Sequence, residues 1–315
     1  MVIQTKTQKH WQQLSQNNTM YIRIGSVCCG VKCIDDEVLY NLRTLYEDFL
    51  TEGPADINVE LNTPTMLNPV ELETALEDTR FIHANNTFRT TSLVMSGSYD
   101  LVNGEISISG DRNLCNPDLE INHLNRLIAL MYHSACKIKH GTPPAYLVHS
   151  CAIKRGGQVL IFAGPCETGK TTVAKFCGDR HGQVLNDEMV LVSSKPQQDG
   201  RLLVEAAPVL GGFPQHVKTT APLGCIFLLK QSGKTAVRKL ERTESFLRFM
   251  RQVVTPAYIG QRSKREIHSL IAEFSDIVTG TTPFYELEFT LDKEPFWQAV
   301  EEVEENLEKK ETINE

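Results

Sequence analysis

The run Gly164-Pro165-Cys166-Glu167-Thr168-Gly169-Lys170-Thr171 sets two glycines, a lysine and a hydroxyl at the spacing Gly-x4-Gly-Lys-Thr. On average composition that pattern arises by chance in roughly one chain of this length in a hundred, so its neighbours decide what it means. An apolar run, Val159-Leu160-Ile161-Phe162-Ala163, leads into it, and a helical pattern opens at Lys170. That is the strand–loop–helix setting of a phosphate-holding loop. Glycines let several backbone N–H groups turn inward, and the helix N-terminus adds its partial positive charge. Lys170 can then reach the outer phosphates of a nucleoside triphosphate, with the Thr171 hydroxyl placed for Mg²⁺. Gly164, Pro165, Cys166, Glu167, Thr168, Gly169, Lys170, Thr171 and Thr172 are the expected nucleotide contacts. Many such loops carry another glycine in the middle, where Glu167 and Thr168 stand here. A carboxylate close to a triphosphate is repulsive unless it turns away, so Glu167 is expected to face solvent.

Two more groups lie at informative distances. Asp187-Glu188 follow Lys170 by about 17 residues, at the end of a short apolar run, and His149 precedes Gly164 by about 15. Phosphoryl transfer needs positioning, charge neutralisation and a base near the acceptor. Asp187 is the candidate base, with a water-mediated metal ligand as the overlapping alternative. Glu188 either holds metal with Thr171 and Asp187 or caps its strand. His149 stands near the acceptor or the γ-phosphate, or is simply a satisfied histidine. Glu205 is a further carboxylate that either holds metal or lies on an exposed strand. Arg251, Arg262, Lys264 and Arg265 could form a phosphate clamp for a substrate or a neighbouring subunit, and nothing in the sequence chooses among them.

The elements that must position these groups can be read from periodicity. Tyr146 to Ile153 and Gln158 to Ala163 read as strands joined by a four-residue turn, Lys154-Arg155-Gly156-Gly157, so they must pair antiparallel. In doubly wound nucleotide-binding proteins the loop instead follows a strand of a parallel sheet. A helix follows from Lys170 to about Cys177, then short strands at 184–186 and 189–193 and a strand at Gly224 to Leu229. Helices are expected at Thr243 to Val253 and Arg265 to Val278, a strand at Phe284 to Phe289, and a last helix from Glu294 to about Leu307. Trp297, Val300, Val303 and Leu307 form the docking stripe of that last helix.

Upstream, residues 21–33 read as β-structure and Asp35 to Leu50 as a helix capped by Asp35 and Asp36. Asp56 to Leu61 alternates, and Asn62 to Arg80 reads as loop with one helical turn. Residues 81–109 read as β-structure, with a hairpin at Asn103-Gly104 between Leu101-Val102 and Ile106-Ser107-Ile108. Pro117 to Lys139 reads as a long helix, stopped by Gly141 and Pro143-Pro144. The expected organisation is a leader (1–18), an α+β N-terminal region (19–142), a phosphate-loop domain (143–308) and an acidic tail (309–315).

Composition limits the classes available. With 315 residues there is length for one large or two medium domains, and 41% hydrophobic with 23% charged residues is ordinary for a globular chain. A net charge of −7 argues against nucleic-acid and anionic-membrane partners. No apolar run approaches the ~18 residues of a membrane span, and the polar start lacks the apolar centre of a secretion signal. A cytoplasmic location is expected. The nine cysteines show no zinc-type spacing and mostly lie in apolar surroundings, which points to reduced, buried thiols. Cys166, inside the loop, is the exception.

At Leu147-Val148-His149-Ser150, the hairpin, Gly164 to Thr172 and Asn186-Asp187-Glu188, the chain resembles the HPr kinase/phosphorylase family and its HprK-like relatives, whose fold is shared with phosphoenolpyruvate carboxykinases. The resemblance covers some 40 residues. It implies an α/β (α+β) fold with an HprK-type phosphate-loop core on a mixed, largely antiparallel sheet. It also implies ATP and Mg²⁺ as cofactors, and a kinase acting on a serine or other hydroxyl of a peptide, carrier protein or small molecule. The resemblance assigns the role of base to Asp187. A homo-oligomer is left open. The chain departs from the family in having Asp187-Glu188 where HPr kinases have two aspartates. It also lacks the glycine-rich signature after the acidic pair, for which only Glu205 to Gly212 could stand in. A non-catalytic nucleotide sensor or scaffold and a carboxykinase-like metabolic enzyme are the alternatives.

Overall fold

The computed structural model describes residues 18–76, 81–84, 86–115, 122–141, 143–209, 211–254, 272 and 282–314. The leader up to residue 17, the start of the helix expected from Pro117, the helix expected over Arg265 to Val278, and Arg262, Lys264 and Arg265 lie outside them. The chain is mixed α/β and divides into two compact units, one formed mainly by residues up to Pro144 and one mainly from Ala145 onward.

The first unit is a seven-stranded mixed sheet in the order β1-β2-β3-β7-β6-β5-β4. Its strands are β1 (Thr19–Ile24), β2 (Val27–Cys33), β3 (Ile57–Asn62), β4 (Phe81–Ala84), β5 (Thr87–Thr90), β6 (Met95–Asp100) and β7 (Glu105–Gly110). β3 alternates strictly between buried and exposed residues, so one face is core and the other faces water. Helix α1 (Asp36–Leu45) packs on β1 and β2, and α3 (Asn122–His140) packs on β2 and β3. Asp35 caps α1 by accepting from the Glu37 and Val38 N–H groups.

Three local readings change, the first being the helix expected from Asp35 to Leu50, which ends at Leu45 and is followed by a 3-10 turn over Glu47–Phe49. Leu101-Val102 belong to the turn rather than to a strand, because Asp100 Oδ1 accepts from the Val102 and Asn103 N–H groups, which leaves Val102 93% exposed. Residues 69–76 form a full helix, α2 (Pro69–Leu76), where loop with one turn was expected. Asn68 and Glu71 cap it reciprocally, each side chain accepting from the other's backbone N–H at 3.0 Å.

The second unit holds the other eight strands: β8 (Ala145–Arg155), β9 (Gln158–Ala163), β10 (Gln183–Asn186), β11 (Met189–Ser193), β12 (Leu203–Ala206), β13 (Thr220–Gln231), β14 (Ala236–Lys239) and β15 (Phe284–Phe289). β8 and β9 pair antiparallel from Arg155↔Gln158 to Ser150↔Ala163. Their turn is tighter than expected, Gly156-Gly157 alone, both at positive φ as a two-residue hairpin requires. β9 also pairs parallel to β13, and β13 parallel to β15. All other pairings in this sheet are antiparallel.

Helix α4 (Lys170–His181) follows the loop and kinks at Gly178, so its regular part ends at Cys177. Helix α5 (Arg242–Phe249) continues as a 3-10 turn to Gln252. The last helix, α6 (Lys293–Asn314), runs past Leu307 into the segment expected as an acidic tail.

The core of this unit is aromatic. Phe162 stacks on Phe227 with ring centroids 5.1 Å apart, and Phe296 and Trp297 of α6 meet Phe162 edge-on or tilted. Trp297 donates its indole N–H to the Phe176 carbonyl of α4 at 2.9 Å. Its other side is covered by the His181 ring at 4.5 Å and the Arg155 guanidinium at 5.6 Å. Trp297→Ala should therefore cost about 3–5 kcal/mol of unfolding free energy, measured by urea denaturation, because both its core packing and its anchor on the C-terminal end of α4 at Phe176 are lost.

Candidate nucleotide site

The loop Gly164–Gly169 leaves β9 just where β8 changes partner. Ser150 is the last β8 residue paired with β9. The stretch of β8 before it, Ala145 to His149, pairs with β11. β10 and β11 run one after the other along β8, beside Ala152–Lys154 and then Ala145–His149, interrupted only by Asp187 and Glu188. Asn186 makes the interruption. Its Oδ1 accepts from the Glu188 N–H at 2.7 Å and the Met189 N–H at 3.0 Å, a local turn in place of ladder bonds.

Within the loop, Thr168 Oγ donates to the Pro165 carbonyl at 2.7 Å. Gly169, at φ +100, leads into α4, and a Cβ there would lie 2.7 Å from the Phe289 ring, so this glycine is required twice over. Lys170 is 6% exposed, and its ammonium donates to the Gly164 and Pro165 carbonyls at 3.0 and 2.9 Å. Burial lowers its pKa, opposed by the nearby Glu188, Cys166 and Asp187. Glu167 is exposed, in agreement with the reading that it faces away, and its carbonyl accepts from Gln231 at 2.8 Å. Its φ of +65 is the left-handed conformation that glycine adopts without strain. Cys166 is exposed, whereas the other eight cysteines are buried and free.

Asp187 is 1% exposed and comes up beside Thr171. Burial would raise its pKa, but His216, the Thr171 hydroxyl and the Phe213 N–H together hold it below the usual carboxylate range. Oδ1 takes the Phe213 N–H and His216 Nε2, both at 3.3 Å. Oδ2 is buried and has no well-formed hydrogen bond among the described residues. Gly211 and Gly212 close over this corner. A Cβ on Gly211 would collide with Asp187 Oδ1, and one on Gly212 would lie 3.5 Å from Thr171 Oγ1 and 3.7 Å from Asp187 Oδ2.

An unpartnered carboxylate oxygen beside a threonine hydroxyl suits Mg²⁺, which takes one or two protein oxygens and leaves its other positions to water and phosphate. The fit is with Thr171 and Asp187. Glu188 is turned to His149, its Oε2 lying 3.4 Å from Nε2. Thr172 is half-buried in the first turn of α4.

The structure thus brings Lys170, Thr171 and Asp187 to one corner, with the His149–Glu188 pair nearby, His149 on β8 and Glu188 in the break between β10 and β11. Sequence reading did not single out His216 or Phe213, and it noted Gly211-Gly212 only as part of a possible stand-in for a family signature. The Gly-Gly pair and the histidine shortly after it were the available signal, without anything local to tie them to Asp187. A cavity of about 780 Å³ lies on the outer face of the first unit's sheet, lined by Lys32, Glu60, Arg89 and several serines. It has no part in this site.

Strand, loop and helix together define a protein with a phosphate-loop motif in an α/β setting. Comparison with protein-family models and with curated proteins finds no match. Among solved structures the chain is similar to one described as the Hpr(Ser) kinase/phosphatase from Coxiella burnetii. The identity is 10% and the TM-score 0.32, over 51% of this chain and 98% of that one.

Glu167→Gly should raise stability by about 1 kcal/mol, the scale of a relieved left-handed residue, read as a higher urea midpoint. Gly211→Ala should do the opposite, because its methyl has to displace either Asp187 or the chain that covers it.

Proposed function

We propose that the chain is an ATP-dependent phosphotransferase, HprK-like in its core, that phosphorylates a hydroxyl of a peptide, protein or small molecule. The observation that carries the reading is the convergence, at the N-terminus of α4, of buried Lys170 with the Thr171–Asp187 pair. A cation aimed along the loop's axis and an oxygen pair beside it are what a triphosphate and its metal require. The resemblance of the sequence at the hairpin, loop and acidic pair supports the same reading.

In this scheme the phosphates replace the Gly164 and Pro165 carbonyls as partners of Lys170, whose charge offsets theirs. The loop N–H groups and the α4 N-terminus hold the remaining oxygens. Thr171 and Asp187 would hold Mg²⁺, which supplies further charge neutralisation when bound. Asp187, kept ionised with Oδ1 occupied and Oδ2 unpartnered, also has the character of a group that can orient an acceptor hydroxyl or take its proton. Glu188 and His149, paired with each other, flank the acceptor side. The acceptor would be a small molecule or a flexible serine-bearing segment, and a peptide or carrier protein fits that description.

Labelled ATP titrated with and without Mg²⁺ tests the first half of the reading, and no binding at millimolar nucleotide would sink it. Lys170→Ala should abolish binding or weaken it at least tenfold. Asp187→Asn should retain ATP while losing transfer by about 10²-fold or more, in the range of a removed general base or charge-stabilising group. A fully active Asp187→Asn would refute the role given to that residue. ATP binding without turnover on any hydroxyl acceptor would favour a sensor.

A further inference from the structure

Asp187 has unequal oxygens, and the inequality is imposed from a distant part of the chain. The segment Gly211 to His216, between β12 and β13, folds over the carboxylate: two glycines allow the backbone to lie against it, and Phe213 and His216 fasten Oδ1. An ionised carboxylate can only accept hydrogen bonds, so His216 Nε2 carries the hydrogen in this pair. The His216 ring is in turn braced edge-on by the Phe213 ring, with centroids 6.1 Å apart, and Phe213 packs on the aromatic core.

With Oδ1 held by two donors, the carboxylate cannot rotate freely about its Cβ–Cγ bond. Oδ2 is left as the oxygen turned to the Thr171 corner, where a single point above Gly212 lies within 3.7 Å of both groups. Without His216 one N–H would remain on Oδ1, and the carboxylate plane would be free to turn.

We infer that His216 is a positioning residue, which fixes the Asp187 carboxylate so that Oδ2 addresses the metal and phosphate corner beside Thr171. The inference rests on the phosphotransferase reading for the identity of what sits in that corner, but the orientation it describes can be read without turnover. His216 touches no reacting atom, and its effect passes through Asp187.

The test uses the full chain with His216→Leu, His216→Gln, and Gln215→Ala as a neighbouring control on an exposed residue. Mn²⁺ affinity of the ADP-bound protein is followed by EPR. Steady-state cleavage of Mg²⁺-ATP is measured with water as acceptor. His216→Leu should weaken Mn²⁺ about 10-fold and lower kcat about 10-fold or more, with KM for ATP within about twofold, as expected for one lost hydrogen bond to a charge. His216→Gln, which restores an N–H donor, should recover most of both, and Gln215→Ala should leave both unchanged.

Unchanged Mn²⁺ affinity in His216→Leu overturns the inference. So does a His216→Gln protein as impaired as His216→Leu, or a loss that appears in KM alone. A wild-type protein that holds Mn²⁺-ADP but cleaves no ATP and phosphorylates nothing defeats the phosphotransferase reading, and the Mn²⁺ series still decides for or against His216.

Discussion

Strand β9 is hydrogen-bonded on both edges, antiparallel to β8 and parallel to β13, and the site hangs from that double pairing. A strand held on both sides cannot slide without breaking two ladders, and a slip of one residue would turn its buried side chains to the wrong face. Val159 to Ala163 are all fully buried, so the register is fixed by packing on both faces as well. The loop therefore starts from a rigid point. β9 ends opposite Ser150, and the loop opens there on the space that holds the site.

That space is polar, and its polarity has to be supported. Lys170 and Asp187 are both buried charges, each of which would be costly alone. Their partners differ in kind. Lys170 is satisfied by carbonyls of its own loop, which a phosphate can replace at little rearrangement. Asp187 is satisfied by residues 26 and 29 positions away in sequence. The partners of the cation are therefore local and those of the anion are distant, an asymmetry that the proposed exchange of an anionic ligand would use.

Docking of α6 serves the same rigidity from the opposite side. Trp297 joins the end of α4 through Phe176 and packs under His181 and Arg155, which are themselves 3.3 Å apart. Arg155 also pairs with Glu301 and Glu304 at 2.8 Å each, so the β8–β9 turn and α6 hold each other in register. The helix that presents Lys170 and Thr171 is thus braced at its C-terminal end, where it kinks at Gly178.

Several of these features were legible in the residues because their causes are local. The antiparallel hairpin followed from a short glycine turn between two apolar runs, the α1 start from Asp35, the end of regular helix near Cys177 from the glycine after it, and the α6 face from the spacing of Trp297, Val300 and Val303. Helix α2 was legible too, in Asn68 and Glu71, but Pro64, Pro69 and the acidic residues around them obscured the capping pair. Leu101-Val102 were misplaced because apolar character suggested a strand, whereas Asp100 captured their N–H groups for a turn.

By itself the sequence determined the phosphate-type loop, the hairpin that feeds it and the outward turn of Glu167, since each depends on residues within a few positions of one another. Only the tertiary structure decided which oxygen of Asp187 is free, that Glu188 turns to His149, and that Gly211, Phe213 and His216 belong to the site. Those outcomes depend on strand order and on a segment returning across the sheet. Hydrogen bonds between residues so far apart in the chain leave no periodicity or spacing to read.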